Sequence, residues 1–167
     1  MTDRMAYNDQ FLLWSIIPIS FNPRMKYAIR SKVSSLYLDG RNAGMSELLI
    51  TDRNPFQDNY LLWSIETVED GYIAIKSVSG GGYIDGRSTE SNPILSYRSP
   101  NNDHYLQWSL VFVEHDAIAI KSRSSNNYLD GRNNNPLLSD KNPNGAIYLQ
   151  WSLIEMPQIE DQTYNPQ

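Results

Sequence analysis

NYLLWSI at residues 59–65 returns as HYLQWSL at 104–110 and as IYLQWSL at 147–153, and a fourth version, QFLLWSI, stands at 10–16. The four tryptophans of the chain, Trp14, Trp63, Trp108 and Trp151, are thereby spaced by 49, 45 and 43 residues. Internal similarity with a period of roughly 20 to 50 residues marks a fold built from stacked or radially arranged copies. The N-terminal copy reaches beyond its tryptophan. TDRMAYNDQFLLWSI at 2–16 and TDRNPFQDNYLLWSI at 51–65 share Thr, Asp and Arg at the front and Asp, Leu, Leu, Trp, Ser and Ile behind.

Upstream of the last three tryptophans the rest of a unit recurs. Tyr37-Leu38-Asp39-Gly40-Arg41 is matched by Tyr83-Ile84-Asp85-Gly86-Arg87 and by Tyr128-Leu129-Asp130-Gly131-Arg132, three times and not four. Before these blocks stand YAIRS (27–31), IAIKS (73–77) and IAIKS (118–122). After them come LITDRNP (49–55), ILSYRSP (94–100) and LLSDKNP (137–143), each placing its proline eight residues before a tryptophan. The copies differ in length just after Arg41, Arg87 and Arg132, as surface turns that tolerate insertion do.

Within a copy the period is two. YIAIKS and YLQWSL alternate apolar and polar residues, and Gly, Asn, Asp, Ser and Pro cluster between such runs, which is the pattern of strands joined by turns. Six of the nine prolines follow Asn, which drives the preceding residue out of helical geometry and initiates turns. No window has the period of a helix of ordinary length. Each copy therefore reads as four short strands. In the last of them Leu106, Trp108 and Leu110 take the inward face, and Tyr105, Gln107 and Ser109 the outward one.

The composition narrows the function. With 14 basic and 19 acidic residues the formal net charge is −5, and the basic residues are scattered, which argues against nucleic acid as a partner. No apolar run is long enough to insert into a membrane, and the opening MTDRMAYNDQ lacks the apolar core of a signal peptide. The chain has no cysteine, in keeping with a reducing compartment. A cytoplasmic or non-classically secreted protein is expected. His104 and His115 are the only histidines and fall short of a structural zinc set. Ser79-Gly80-Gly81-Gly82 is followed by no Lys-Ser/Thr pair, so it is no phosphate cradle. The serines beside the tryptophans have no recurrent partner His or Asp. No metal, no cofactor and no enzymatic activity are expected.

Three copies of four strands, each closed by an inward tryptophan, resemble the β-trefoil and within it the ricin B chain-like lectins, over roughly residues 24–156. In that family an apolar-Leu-Asp segment ends the second strand and Gln-x-Trp closes the repeat. Here YLDGR or YIDGR supplies the first element and LQW or LLW the second. Gln107 and Gln150 adjoin their tryptophans, where the family leaves one residue between, and Leu62 replaces the Gln in the first copy. The resemblance implies an all-β fold, a β-trefoil with three internal repeats of about 45 residues plus an extra N-terminal repeat-like strand. The domain is expected to span residues 1–156, with the extra strand at 1–17 and a C-terminal tail at 157–167. A four-stranded period near 45 residues also suits a propeller blade. A trefoil has three places for the Trp strand and the chain supplies four, so residues 8–17 are expected to help make a subunit contact in a homo-oligomer, a dimer in the simplest case.

The resemblance also implies a carbohydrate-binding lectin with up to three similar sites for galactose- or N-acetylgalactosamine-type glycans. Such a site needs a carboxylate to accept from vicinal hydroxyls, an aromatic ring for the apolar face of the pyranose, and an amide or imidazole to complete the polar set. Asp39, Asp85 and Asp130 stand where the family places the carboxylate, and Arg41, Arg87 and Arg132 accompany them. On the opposing loops the candidates are Asp52, Asn54 and Asn59 in the first copy, Tyr97, Asn102, Asp103 and His104 in the second, and Asp140, Asn142 and Asn144 in the third, with Tyr60, Tyr105 and Tyr148 as alternative stacking rings. Tyr97 makes the second site the best furnished. A plainer reading stands beside this one. Asp-Gly is a tight-turn signal because Gly supplies positive φ, and the Arg in all three copies then only pairs with a nearby carboxylate, an exposed bridge worth at most about 1 kcal/mol. A third reading is a protein-interaction trefoil, a protease inhibitor or cytoskeletal cross-linker, working through a unique loop. Only 42–47 and 18–24 depart from the repeat.

Overall fold

The computed structural model of the chain describes residues 21–41, 48–87 and 92–157. The extra strand expected at 1–17, with its subunit contact at 8–17, lies outside these residues, as do the insertion at 42–47 and all but the first residue of the tail. The described residues carry four strands per copy: β1 Lys26–Ser31, β2 Tyr37–Asp39, β3 Leu49–Thr51 and β4 Leu62–Thr67, then β5 Ile73–Ser77, β6 Tyr83–Asp85, β7 Ile94–Ser96 and β8 Trp108–Glu114, then β9 Ala117–Ser122, β10 Tyr128–Asp130, β11 Leu137–Ser139 and β12 Trp151–Met156.

The pairing closes a ring. β1 lies between β12 and β4, β4 pairs β5, β5 pairs β8, β8 pairs β9, and β9 returns to β12, all antiparallel. The hairpins β2–β3, β6–β7 and β10–β11 hang from β1, β5 and β9. A six-stranded barrel capped by three hairpins is a β-trefoil, and its single closed ring removes the propeller reading, in which each four-stranded sheet stands as a separate blade. The long registers join different copies. β1 zips onto β12 from Lys26↔Met156 to Ser31↔Trp151, so the first copy is fastened to the third. Among the described residues, the six barrel strands are paired on both sides, while β3, β7 and β11 are paired on one side only.

The core follows the repeat. Ile29, Ile75 and Ile120 from the first strands, Leu38, Ile84 and Leu129 from the second, and Ile50, Leu95 and Leu138 from the third meet the three tryptophans in one cluster. Trp63, Trp108 and Trp151 are completely buried, and fully burying a large apolar side chain stabilises by roughly 1.5–3 kcal/mol. Their indole N–H groups are satisfied as well. Nε1 donates to the carbonyl of Leu38 at 3.1 Å, of Ile84 at 2.9 Å and of Leu129 at 3.0 Å. Each tryptophan thus fastens the strand that ends in Asp.

Two local expectations are corrected. The strand read through YLQWSL begins only at Leu62 in the first copy and at Trp108 and Trp151 in the others. Three-residue 3₁₀ turns, Asn59–Leu61, His104–Leu106 and Ile147–Leu149, precede it. The side chains of Asp58 and Asp103 accept from the N–H of Tyr60 and Tyr105, and this local capping outcompetes the strand ladder. Tyr105 is therefore presented from a turn, and Gln107 is buried, not outward. The second correction concerns Gly40, Gly86 and Gly131. Among the described residues only Gly71 and Gly81 are glycines with positive φ, so backbone freedom does not explain the glycine of Asp-Gly-Arg. Space does. A Cβ on Gly86 would stand 2.8 Å from Cη2 of Trp108, and one on Gly131 would stand 2.9 Å from Cη2 of Trp151.

Candidate functional site

Each Asp-Gly-Arg block is pinned to the 3₁₀ turn that precedes the tryptophan of its own copy. The glycine N–H donates to a tyrosine carbonyl: Gly40 to Tyr60 at 2.9 Å, Gly86 to Tyr105 at 2.9 Å and Gly131 to Tyr148 at 2.8 Å. The arginine that follows then lies over the ring of that tyrosine. The guanidinium carbon is 5.1 Å from the Tyr60 centroid for Arg41, 5.7 Å from Tyr105 for Arg87 and 3.9 Å from Tyr148 for Arg132. Distances under about 6 Å are those of attractive cation–π contacts. The same three-part arrangement therefore appears three times around the barrel.

The aspartates lie beneath the arginines. Asp39, Asp85 and Asp130 are buried, and each accepts the backbone N–H of its own arginine on Oδ1, at 2.9, 3.0 and 3.0 Å. The other oxygen accepts Nε, at 2.7 Å for Asp39, 3.0 Å for Asp85 and 3.0 Å for Asp130. Hydrogen bonding to the aspartate pushes the pKa of all three guanidinium groups further up, against the opposing effect of burial. The group offered to solvent is the arginine on its tyrosine, and the aspartate fixes its direction.

The copies differ in what surrounds this unit. In the first, Arg41 Nη2 also donates to Asp58 at 2.9 Å, and Thr51 Oγ1 donates to Asp39 at 3.0 Å. Burial raises the Asp58 pKa, but the bonds from Arg41 and from the Tyr60 N–H outweigh it and hold the carboxyl below its ordinary value. In the second, Arg98 Nη2 bridges Asp85 at 3.1 Å and Asp103 at 3.0 Å. In the third, Ala146 caps the 3₁₀ turn where Asp58 and Asp103 cap the other two, and Arg132 stands beside Asn133, Asn134, Asn135 and Asn92 around a polar hollow of about 530 Å³. Asp58, Asp103 and Arg98 thus belong to the clusters. Asp103 is one of the loop candidates of the sequence; the signal for Asp58 was the capping position two residues before Tyr60, while nothing local marked Arg98.

The other candidates scatter. Tyr97 is 61% exposed, one residue beyond β7 and next to Arg98. His104 opens the second 3₁₀ turn and lines a hollow of about 440 Å³ with Asn102, Asp103, Tyr105, Arg123 and Ser124, a set that includes neither Asp85 nor Tyr97. Asn59 opens the first 3₁₀ turn and lines a different, largely apolar cavity. The Asn144 N–H donates to Asn142 Oδ1 at 3.0 Å within a turn. The glutamines before the tryptophans support loops: Nε2 of Gln107 donates to the Pro100 carbonyl at 2.7 Å, and Nε2 of Gln150 to that of Pro143 at 2.8 Å. Among the described residues no cluster of three or more His, Cys, Asp or Glu could hold a metal ion, and no helix is long and apolar enough to cross a membrane.

Comparison with known proteins agrees with this architecture. Residues 59–151 match the model of the ricin-type beta-trefoil lectin domain-like family. A search of curated protein sequences found no match. Among solved structures the chain is similar to ThreeFoil, a designed 3-fold symmetric protein, with a TM-score of 0.68 and 22% identity over 78% of this chain and 99% of that one. It is similar to a lectin of Polyporus squamosus bound to the epitope Neu5Acα2-6Galβ1-4GlcNAc, with a TM-score of 0.65 and 20% identity over 80% of this chain and 50% of that one. It is also similar to a GlcNAcα1-4Gal-releasing endo-β-galactosidase of Clostridium perfringens, with a TM-score of 0.70 and 21% identity over 80% of this chain and 33% of the enzyme. The chain therefore spans half of that lectin and a third of that enzyme, and at these identities the likeness is one of fold.

Proposed function

Since the chain belongs to the ricin-type beta-trefoil lectin domain-like family, we propose that it is a carbohydrate-binding lectin whose three Asp-Gly-Arg faces serve as similar shallow sites for galactose- or N-acetylgalactosamine-type glycans. The observation that carries this reading is the triplicate arginine held over a tyrosine by a buried aspartate. A guanidinium fixed on one edge by carboxylate bonds keeps its remaining N–H donors in a rigid fork, and sugar hydroxyls are suited acceptors. In the first two copies the exposed tyrosine beside it, Tyr60 or Tyr105, gives the apolar face of a pyranose something to lie against. The second copy, with both Arg87 and Arg98 on Asp85, is read as the strongest of the three.

The reading is of a binder and not of an enzyme. Glycoside hydrolysis needs one carboxyl poised as acid and another free as base or nucleophile, whereas Asp39, Asp85 and Asp130 are each committed to an arginine. Individually weak sites on one rigid barrel gain by simultaneous engagement of a multivalent glycan, by a factor of about 100 or more, so glycoconjugates are the natural partners and agglutination the natural activity. The test is a broad glycan array probed with the full chain. Binding to terminal galactose or N-acetylgalactosamine structures, competed by the free sugar, is the expected result. A folded protein that captures no glycan on the array would overturn the proposal.

A further inference from the structure

The two residues that follow the third strand of each copy are Asp52 and Arg53, Tyr97 and Arg98, and Asp140 and Lys141. A cation stands in all three places, but only the second copy has a neutral residue before it. Only there does the cation reach the buried aspartate of its copy. Arg98 Nη2 lies 3.1 Å from Asp85 Oδ2, the oxygen that Arg87 Nη2 meets at 2.5 Å. In the first copy Arg53 stands 3.8 Å from Asp58, and in the third Lys141 pairs at 3.9 Å with its own exposed neighbour, Asp140.

Two guanidinium groups of the second copy therefore share one carboxylate oxygen. Both are aimed from behind. Arg87 Nε donates to Asp85 at 3.0 Å, Arg98 Nε donates to Ser96 Oγ at 3.2 Å, and Arg98 Nη2 also meets Asp103 at 3.0 Å. The charges are layered. The side chains of Asp85 and Asp103 are 0% and 17% exposed, whereas those of Arg87 and Arg98 are 45% and 44% exposed. A ligand approaching this face thus meets N–H donors before it meets either carboxylate. Nη1 of both arginines donates to no described residue. Two like charges gathered over one oxygen repel each other, and an anion seated between their outward edges relieves that repulsion. Carboxylate and sulfate present paired oxygens that match the N–H fork of a guanidinium. The other faces lack the pair, since Arg41 is divided between Asp39 and Asp58, and Arg132 meets Asp130 singly.

We propose that the face of the second copy is selective for an acidic sugar, a galactose-type residue whose carboxylate or sulfate group spans Arg87 and Arg98, and that Arg98 determines this preference. The inference rests on the reading of the Asp-Gly-Arg faces as carbohydrate sites and adds the ligand class that one of them takes. Hydrogen bonds to a charged group correspond to about 10- to 100-fold in affinity. Tyr97 contributes by what it is not, because an exposed aspartate beside Arg98 would repel the ligand and compete for the cation as Asp140 does for Lys141.

The experiment follows the arginine Nε–Hε signals of the full chain by NMR during titration with methyl β-galactoside, galacturonate and galactose 6-sulfate, with inorganic sulfate as a control. At least one acidic sugar is expected to shift Arg87 and Arg98 at a concentration about tenfold or more below that needed of the neutral galactoside, and the two acidic arms tell carboxylate from sulfate. The advantage should shrink as salt is raised, and Arg41 and Arg132 should show none. Arg98→Gln should abolish it. So should Tyr97→Asp, which places at an exposed position the residue the other copies carry and serves if the first variant does not fold. Neutral galactoside moving the signals of all three faces, with no advantage for either acidic sugar, would overturn this inference and leave the lectin reading standing. An advantage equal at Arg41 and Arg132, one that survives either substitution, or inorganic sulfate as effective as galactose 6-sulfate would overturn it as well. Signals unmoved by every sugar would overturn both.

Discussion

Replacing Trp108 by alanine is expected to lower the unfolding free energy by about 3–5 kcal/mol, the cost of emptying a large core site. For a domain of this size that displaces the thermal midpoint by roughly 10 °C, a large share of a total stability of about 5–15 kcal/mol. The loss includes more than apolar area, because the indole also ties the Ile84 carbonyl and fills the space above Gly86. The companion variant Gly86→Ala should cost about 1–3 kcal/mol by overpacking, since its new methyl stands 2.8 Å from the Trp108 ring. In the Trp108→Ala background the ring is gone, and Gly86→Ala should then be nearly neutral. This strong non-additivity, read from denaturant unfolding of the four proteins, distinguishes a glycine retained for space from one retained for backbone freedom. If Gly86→Ala costs the same in both backgrounds, the packing explanation is wrong.

Arg41→Met is the second large effect. Asp39 is wholly buried, and Arg41, 22% exposed, bridges it to Asp58. Removing the cation leaves a buried carboxylate with Thr51 and a backbone N–H alone, at a cost of about 3 kcal/mol at neutral pH. The pH dependence has a definite sign. The pKa of Asp58 is lowered in the folded chain, so its pairing stabilises fully above the unfolded-state value of about 4 and fades as pH falls through the lower folded value. The gap between Arg41→Met and the unaltered protein should therefore be widest near neutrality and narrow below about pH 4, as urea unfolding across that range would reveal. A gap independent of pH would mean that Arg41 acts only through the packing of its stem on Tyr60.

The fold was legible because its unit is written three times. The tryptophan spacing, the Leu/Ile-Asp-Gly-Arg block and the Asn-Pro turns pointed to three copies of four strands, and the closed pairing ring decides for the trefoil over the propeller. What stayed hidden depends on contacts between distant segments. Asp-Gly-Arg read as a turn with a positive-φ glycine, yet the glycine answers to Trp108, 22 residues further along. The aspartates read as ligands for sugar, yet each lies under its own arginine, because the tyrosine that supports that arginine is brought in by a 3₁₀ turn that strand periodicity overlooked. Gln107 and Gln150 stood out as off-register remnants of a family motif. Their work is to hold the proline loops.

The central claim, that the three Asp-Gly-Arg faces are the carbohydrate sites, is tested most directly by following the Nε–Hε signals of the arginines by NMR during titration with galactose. The account predicts saturable shifts of the Arg41, Arg87 and Arg132 signals, largest at Arg87, while Arg30, whose Nε donates to the Ser35 carbonyl beside the Tyr37 ring, stays in place. Glycan binding that leaves all three signals unmoved would contradict it.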